Sequence, residues 1–164
     1  MDPVSSSVTI ARPRAEVFAY LTDVASHAEF KDHYLVDWHM TREETAGAGA
    51  GARFRERLPL SRFGWGDYTL VDVEPPFRIV ERGRGGKFNR VRAMGEWTLY
   101  DAPGGMTRVD YRYETQPAKL SDRLMELVAG RGWWKRKLGR ALRRLQSILE
   151  EDRARGRRAT IAAR

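Results

Sequence analysis

Between Tyr34 and Pro117, apolar and polar residues alternate with a period of two, and clusters of Gly and Pro interrupt the alternation at short intervals. A period of two is typical of strands that bury one face. Because the interruptions leave only short connections, successive strands are expected to pair as antiparallel hairpins. We therefore predict six strands here, at Tyr34–Glu43, Gly51–Leu60, Gly66–Val73, Phe77–Arg82, Asn89–Tyr100 and Met106–Thr115.

Helical and extended patterns flank this region. The stretch "VSSSVTIA" (Val4–Ala11) reads as a half-buried strand, and two short helices are expected in "RAEVFAYLTDV" and "ASHAEFKDHY". Helical spacing returns at Leu120 and continues to about Glu151. The predicted fold class is α+β: a curved seven-stranded antiparallel sheet wrapped around a long C-terminal helix, with two short helices after strand 1. If helix and sheet meet only at their ends, an internal cavity remains between them.

The closing helix is predicted to be amphipathic. Counted from Trp134, its apolar positions form one continuous stripe, made of Leu138, Ala141, Leu142, Leu145, Ile148 and Leu149. The basic residues between them fall on the opposite side, so we expect the stripe to pack on the sheet and the cations to face solvent. Trp133 lies one step off the stripe, where it could border the cavity.

The net charge of +8 is unevenly distributed. From Arg131 onward there are 12 basic and 3 acidic residues, whereas the preceding 130 residues hold 18 basic and 19 acidic ones. A nucleic-acid-binding domain more often spreads its cations over a binding face, so nucleic acid is an unfavoured partner. We expect residues 1–152 to form one ligand-binding domain. Residues 153–164 are expected to form a basic, mobile tail that could contact an anionic surface weakly.

Composition excludes several kinds of protein. With 164 residues, 41% hydrophobic and 32% charged, the chain is expected to form one globular domain. It has no cysteine, which excludes disulfides and thiolate sites, and it has no signal-peptide pattern and no membrane-span-length apolar run. A cytoplasmic protein is the expectation. His27, His33 and His39 do not converge, so no metal is expected, and no cofactor is expected either. We expect these histidines at the surface, with a position at the mouth of the pocket as the alternative for one of them.

The parity of the strands predicts which side chains face the helix. One side of the sheet is rich in aromatic rings, and two carboxylates share that side. Glu56, between Phe54 and Leu58, would be desolvated, which makes it a candidate catalytic acid or base; alternatively it pairs with an arginine or stays wet at the rim. These rings either form the core or line a ligand site, and the candidate ligand-binding residues are Trp38, Phe54, Glu56, Tyr68, Glu81, Trp97, Tyr111, Tyr113 and Trp133. The sequence pattern does not decide whether Tyr68 lies on the inward or the outward face of its strand.

The element order resembles the helix-grip fold of the START-like (SRPBCC) superfamily, especially its polyketide cyclase/dehydrase-like branch. The stretches that carry the resemblance are "VTIARPRAEVFAYLTDVASHAEF", "GAGARFRERL", "TLVDVEPPFRIVER", "GEWTLYDAPGGMTRVDYRYE" and "LGRALRRLQSILEE". The resemblance implies a hydrophobic or lipid-like ligand in the internal cavity. Two alternatives remain: a cyclase or aromatase that uses a pocket carboxylate or tyrosine, and an interaction protein that uses the basic helix and tail. Fold alone does not choose among them.

Overall fold

The computed structural model describes residues 2–57, 64–118 and 131–151. Its seven strands form one antiparallel sheet in the order β1-β7-β6-β5-β4-β3-β2. The elements are β1 (Val4–Ile10), α1 (Arg14–Thr22), α2 (His27–Lys31), β2 (Leu35–Met40), β3 (Gly51–Glu56), β4 (Trp65–Glu74), β5 (Arg78–Gly85), β6 (Val91–Ala102) and β7 (Met106–Gln116), followed by α3 over 131–151.

Strands β2 to β7 form a meander, since each pairs with the next one in sequence. The chain places β1 at the far edge, where Val8 lies opposite Val109 of β7. The two short helices follow β1, as the sequence predicts. The predicted α+β class, with seven antiparallel strands, two early helices and a long closing helix, is confirmed.

Helix α3 buries its apolar stripe against the sheet. Its buried residues are Trp134, Leu138, Ala141, Leu142, Leu145 and Leu149, whereas Lys135, Arg136, Arg140 and Arg143 are exposed. Hydrogen bonds tie the end of the helix to β1 and the residues after it: Gln146 Nε2 donates to the Thr9 carbonyl over 3.0 Å, and Arg12 Nε donates to the Leu149 carbonyl over 2.7 Å. The stripe predicted from the sequence is therefore the face that covers the sheet.

A β-bulge settles the ambiguous fourth strand. The pairing of β4 with β5 shifts between Leu70 and Asp72. Before the shift Tyr68 and Leu70 face inward; after it Val73 packs against the core, while Val71 is exposed. The extra residue at the bulge reverses which positions face inward, so the inward and outward alternation before the bulge does not continue after it.

The strand predicted at Phe77–Arg82 begins one residue later than expected, at Arg78. Phe77 lies in the turn before β5 rather than on it, and its ring is half-exposed, with the guanidinium of Arg14 at 4.3 Å from the ring centroid. The predicted extension of β3 to Leu60, the helical spacing at 120–128 and the tail at 153–164 lie outside the described residues. In the part of the chain that is described, no helix is long and apolar enough to cross a membrane.

Candidate functional site: the aromatic interior

Two groups of aromatic rings cover the concave face of the sheet. On β2–β4, Trp38 stacks on Phe54 with centroids 5.5 Å apart, and Tyr68 lies 5.9 Å from Trp38. On β6 and β7, the register places Trp97 opposite Tyr111, and their ring centroids are 3.9 Å apart. The predicted inward side of these strands is thus the side that packs in the interior.

The start of α3 extends the second group. Tyr113 packs on Trp134 with centroids 4.5 Å apart. Trp133 is partly buried and meets both Trp134 and Tyr34 edge to face, at 5.0 and 6.2 Å. Trp133 therefore lies at the border of the aromatic interior, one position off the buried stripe.

Glu81 is the most buried carboxylate of this interior. Only 5% of the residue is exposed, since its position on β5 places it on the same side as the buried Ile79. The Tyr111 hydroxyl donates a hydrogen bond to Glu81 Oε1, and Lys31 Nζ lies 3.7 Å from Glu81 Oε2. A buried carboxylate requires such partners, because an isolated one would be too costly to desolvate.

Lys31 supplies the opposing charge from α2. It is only 3% exposed, and its ammonium lies 4.8 Å from the Tyr68 ring centroid and 5.3 Å from that of Trp97. Burial lowers the pKa of Lys31, and the neighbouring Glu81 partly opposes that shift. Lys31 is not among the site residues that the sequence predicts. Its only signal was the i,i+4 spacing of His27 and Lys31, which places both on one helical face.

His27 is completely buried, so its predicted surface position is wrong. Its Nε2 donates to the Leu21 carbonyl over 2.8 Å, which leaves Nδ1 as an acceptor for the Tyr68 hydroxyl. Burial, reinforced by the charge of Lys31, lowers the pKa of His27 well below its ordinary value. A neutral imidazole thus connects α2 to β4.

The other two histidines lie apart from this cluster. His39 is exposed, as expected, and His33 is partly buried, with Nε2 donating to the Lys137 carbonyl over 3.1 Å. Among the described residues no group of three acidic or histidine side chains is arranged to hold a metal ion.

Glu56 ends β3 with its side chain on the inward side, next to Phe54 in the alternation. Burial raises its pKa to about 7. Within the described ranges its carboxyl has no hydrogen-bond or ion-pair partner. The pKa of Tyr34 is raised well above its ordinary value, mainly by burial and further by Glu81 and Glu56. Tyr34 therefore interacts electrostatically with both carboxylates.

Several buried polar atoms have no hydrogen-bond partner among the described residues. They include Trp38 Nε1, Trp97 Nε1 and Glu81 Oε2, which lies beyond hydrogen-bond distance of Lys31. Such atoms are rare in folded proteins because each one costs free energy. They mark places on the aromatic wall where a polar group of a ligand or a water could bind.

A shallow groove of about 270 Å³ is a separate feature. It is lined by Arg82 of β5, by Arg92, Ala93 and Met94 of β6, and by Glu114 and Gln116 of β7. It therefore differs from the internal cavity expected between sheet and helix, which stays a prediction.

A curved antiparallel sheet closed by a long C-terminal helix is a helix-grip-like α+β fold. The family model described as polyketide cyclase / dehydrase and lipid transport matches residues 1–150. The chain belongs to this family, and the START-like (SRPBCC) resemblance is confirmed. No curated protein sequence matches the chain.

Solved structures support the fold. The KanY protein (ms6282) is 18% identical, with a TM-score of 0.70 over 90% of this chain and 97% of that one. TTHA0849 from Thermus thermophilus is 16% identical, with a TM-score of 0.66 over 92% and 98%. Norcoclaurine synthase from Thalictrum flavum, solved with a transition-state analogue, is 8% identical, with a TM-score of 0.70 over 93% and 96%. At these identities the likeness concerns the fold alone.

Proposed function

We propose that this protein binds a hydrophobic or aromatic small molecule between the concave face of the sheet and α3. The observation that carries the proposal is the aromatic wall, on which buried polar atoms lack partners among the described residues. Ligand sites combine apolar walls with a few such polar anchors. The residues proposed to contact the ligand are Trp38, Phe54, Glu56, Tyr68, Glu81, Trp97, Tyr111, Tyr113 and Trp133.

The chemistry of the wall restricts the ligand. Flat rings on β2–β4 and on β6–β7 favour a ligand with its own flat or polycyclic apolar surface. The indole N–H of Trp38 is a donor only, so it fits an acceptor such as a carbonyl or hydroxyl oxygen. A lipid-like molecule with one oxygen-bearing group satisfies the same requirements.

Two measurements test the binding proposal. Native mass spectrometry of freshly purified protein should reveal a retained small molecule, and an anilinonaphthalene sulfonate dye should bind saturably and be displaced by that molecule. Trp38→Phe removes the indole donor and should weaken binding about fivefold to tenfold. Trp65→Phe, on the outer face, is the matched control and should bind as the wild type does. If nothing is retained and the dye does not saturate, the proposal is wrong.

A second candidate function is acid–base catalysis on such a ligand. The arrangement of Tyr111, Glu81 and Lys31, which keeps a hydroxyl, a carboxylate and an amine together away from bulk water, favours it. Glu56, with its pKa near neutrality, is the second candidate base. Proton abstraction from an acidic methylene, which starts the cyclisation of a polyketide chain, needs groups of this kind.

Turnover of a poly-β-keto thioester tests catalysis separately from binding. Glu56→Gln should abolish turnover while leaving dye affinity within severalfold of the wild-type value. If Tyr111, Glu81 and Lys31 move the proton, Tyr111→Phe should lower turnover. Wild-type protein that cyclises the thioester no faster than buffer alone would rule out the catalytic function while leaving the binding function intact.

A further inference from the structure

The hairpin that joins β5 to β6 is strongly basic, although the first 130 residues taken together are nearly neutral. Residues 82–92 hold five basic side chains and no acidic one. Arg84 and Arg92 are directly opposite each other in the ladder, and like charges in that position repel. Arg84 Nε forms an ion pair with Asp67 Oδ1 over 3.9 Å, so one of the five cations is partly neutralised. The sheet thus accumulates positive charge at this end.

Phe88 lies at the tip of this hairpin and is 80% exposed. Its φ is 59°, in the left-handed region that bulky side chains rarely adopt, and the next residue, Asn89, is of a type that adopts this region more readily, at 55°. Strained backbone of this kind is found most often at binding sites and other functional sites of proteins. Lys87 Nζ and the Arg90 guanidinium lie 5.4 and 5.7 Å from the Phe88 ring centroid. The turn therefore holds an apolar ring in solvent between two cations.

A second exposed aromatic residue lies beside the base of the hairpin. Trp65 begins β4 and is 41% exposed, and the register of the next residue places Gly66 opposite Gly85. The Arg53 guanidinium lies 5.2 Å from the Trp65 ring centroid. Trp65 and the hairpin together form one surface, here called the hairpin end, defined by residue 65 and residues 82–92.

We propose that the hairpin end docks on an anionic lipid bilayer. The ring of Phe88 enters the apolar boundary, the indole of Trp65 lies at the interface, and the flanking cations remain among the lipid phosphates. Two exposed rings flanked by cations suit a bilayer better than a nucleic acid, because single-stranded nucleic acids bind along grooves with several stacking rings.

The docking inference rests on the exposed surface and does not depend on the proposed ligand function. The same end of the sheet holds Glu56, since its neighbour Arg55 pairs with Trp65. Docking would therefore bring the proposed ligand site next to the lipid, a consequence that does rest on the proposed function.

Vesicle cosedimentation of the full chain tests the inference. The protein should bind vesicles of equal parts phosphatidylcholine and phosphatidylglycerol, bind weakly to phosphatidylcholine alone, and dissociate as salt is raised. The paired change Lys87→Glu and Arg90→Glu should weaken binding roughly tenfold or more. Phe88→Ser should weaken binding severalfold, and Phe88→Trp should restore it.

Matched variants separate this surface from others. Tyr100→Ser removes a half-exposed ring at the opposite end of β6 and should leave binding unchanged. The paired change Arg157→Glu and Arg158→Glu reverses the same amount of charge in the tail and should have a much smaller effect. Circular dichroism and dye binding should show that each variant is folded and keeps its interior.

Three outcomes would overturn the inference. The first is equal binding to neutral and anionic vesicles, and the second is loss of binding on tail reversal but not on hairpin reversal. The third is binding to a single-stranded oligonucleotide through the hairpin in the absence of vesicle binding. If Phe88→Ser loses vesicle binding but still retains a small molecule, docking and ligand binding are independent, and the failure of one leaves the other intact.

Discussion

Gly95 shows how one residue permits the buried polar cluster. It lies on β6 directly opposite Glu81. A Cβ at this position would collide with the Glu81 carboxylate and lie 2.5 Å from the Tyr111 hydroxyl oxygen. We expect Gly95→Ala to lower the free energy of unfolding by about 1–3 kcal/mol, because the cluster would have to move apart. Urea denaturation measures the change.

Gly132→Ala is the matched control for this prediction. Among the residues that the structure describes, nothing lies within 4 Å of a Cβ at that position, which is an exposed helical one. The substitution should be neutral or stabilise by up to about 1 kcal/mol, since alanine favours the helix. Equal stability of Gly95→Ala and the wild type would contradict the steric argument.

Glu56 should make the stability of the protein depend on pH. Its folded pKa is about 7, above its ordinary value of 4.5, because burial disfavours the charged form. Between these two values the unfolded chain releases a proton that the folded chain keeps, so the contribution of Glu56 to stability falls as the pH rises through this window, while the lowered pKa of His27 acts in the opposite direction. The loss is at most about 3 kcal/mol and is smaller if solvent reaches the carboxyl.

Glu56→Gln removes this titration. The variant should gain free energy of unfolding relative to the wild type between pH 5 and pH 8, because the difference between the two proteins isolates the contribution of Glu56. Glu43→Gln, a change in an exposed carboxyl, should keep the wild-type slope. Parallel slopes for Glu56→Gln and the wild type would show that Glu56 is solvated.

At the scale of elements, a buried ion pair fastens α2 to β5. Lys31 and Glu81 are both buried, so removal of either partner leaves an unpaired charge in the interior. We expect Lys31→Met and Glu81→Gln each to cost about 3–5 kcal/mol, and the double variant to cost clearly less than their sum. A double-mutant cycle from urea denaturation gives the coupling, and additive effects would argue against the pair.

The regular elements could be predicted because their signal is local. The period of two in β6 places Trp97 and Leu99 on the buried side, and the helical period of α3 does the same for Leu138 and Leu145. The five residues of α2 were too few to show which face is buried, so Lys31 and His27 were missed. The bulge in β4 interrupted the period itself, which left Tyr68 ambiguous.

At the scale of the whole molecule, we propose that residues 1–152 are the folded unit. The apolar period ends with α3, and residues 153–164 contain four arginines in "RARGRR" and no apolar stripe. A chain that ends after Asp152 should keep the wild-type melting temperature and dye affinity. A chain that ends after Arg144 loses Leu145 and Leu149 from the core and should be strongly destabilised. If the first truncation also destabilised the protein, the boundary would be wrong.

The amino-acid sequence by itself determined the order of the elements, the inward side of most strands and the buried stripe of the closing helix. These depend on the spacing of apolar residues, which neighbours in the chain define. The tertiary structure alone decided which polar groups meet: Lys31 with Glu81, and His27 with Tyr68. Those contacts join segments distant in sequence, and only the pairing and curvature of the sheet bring them together.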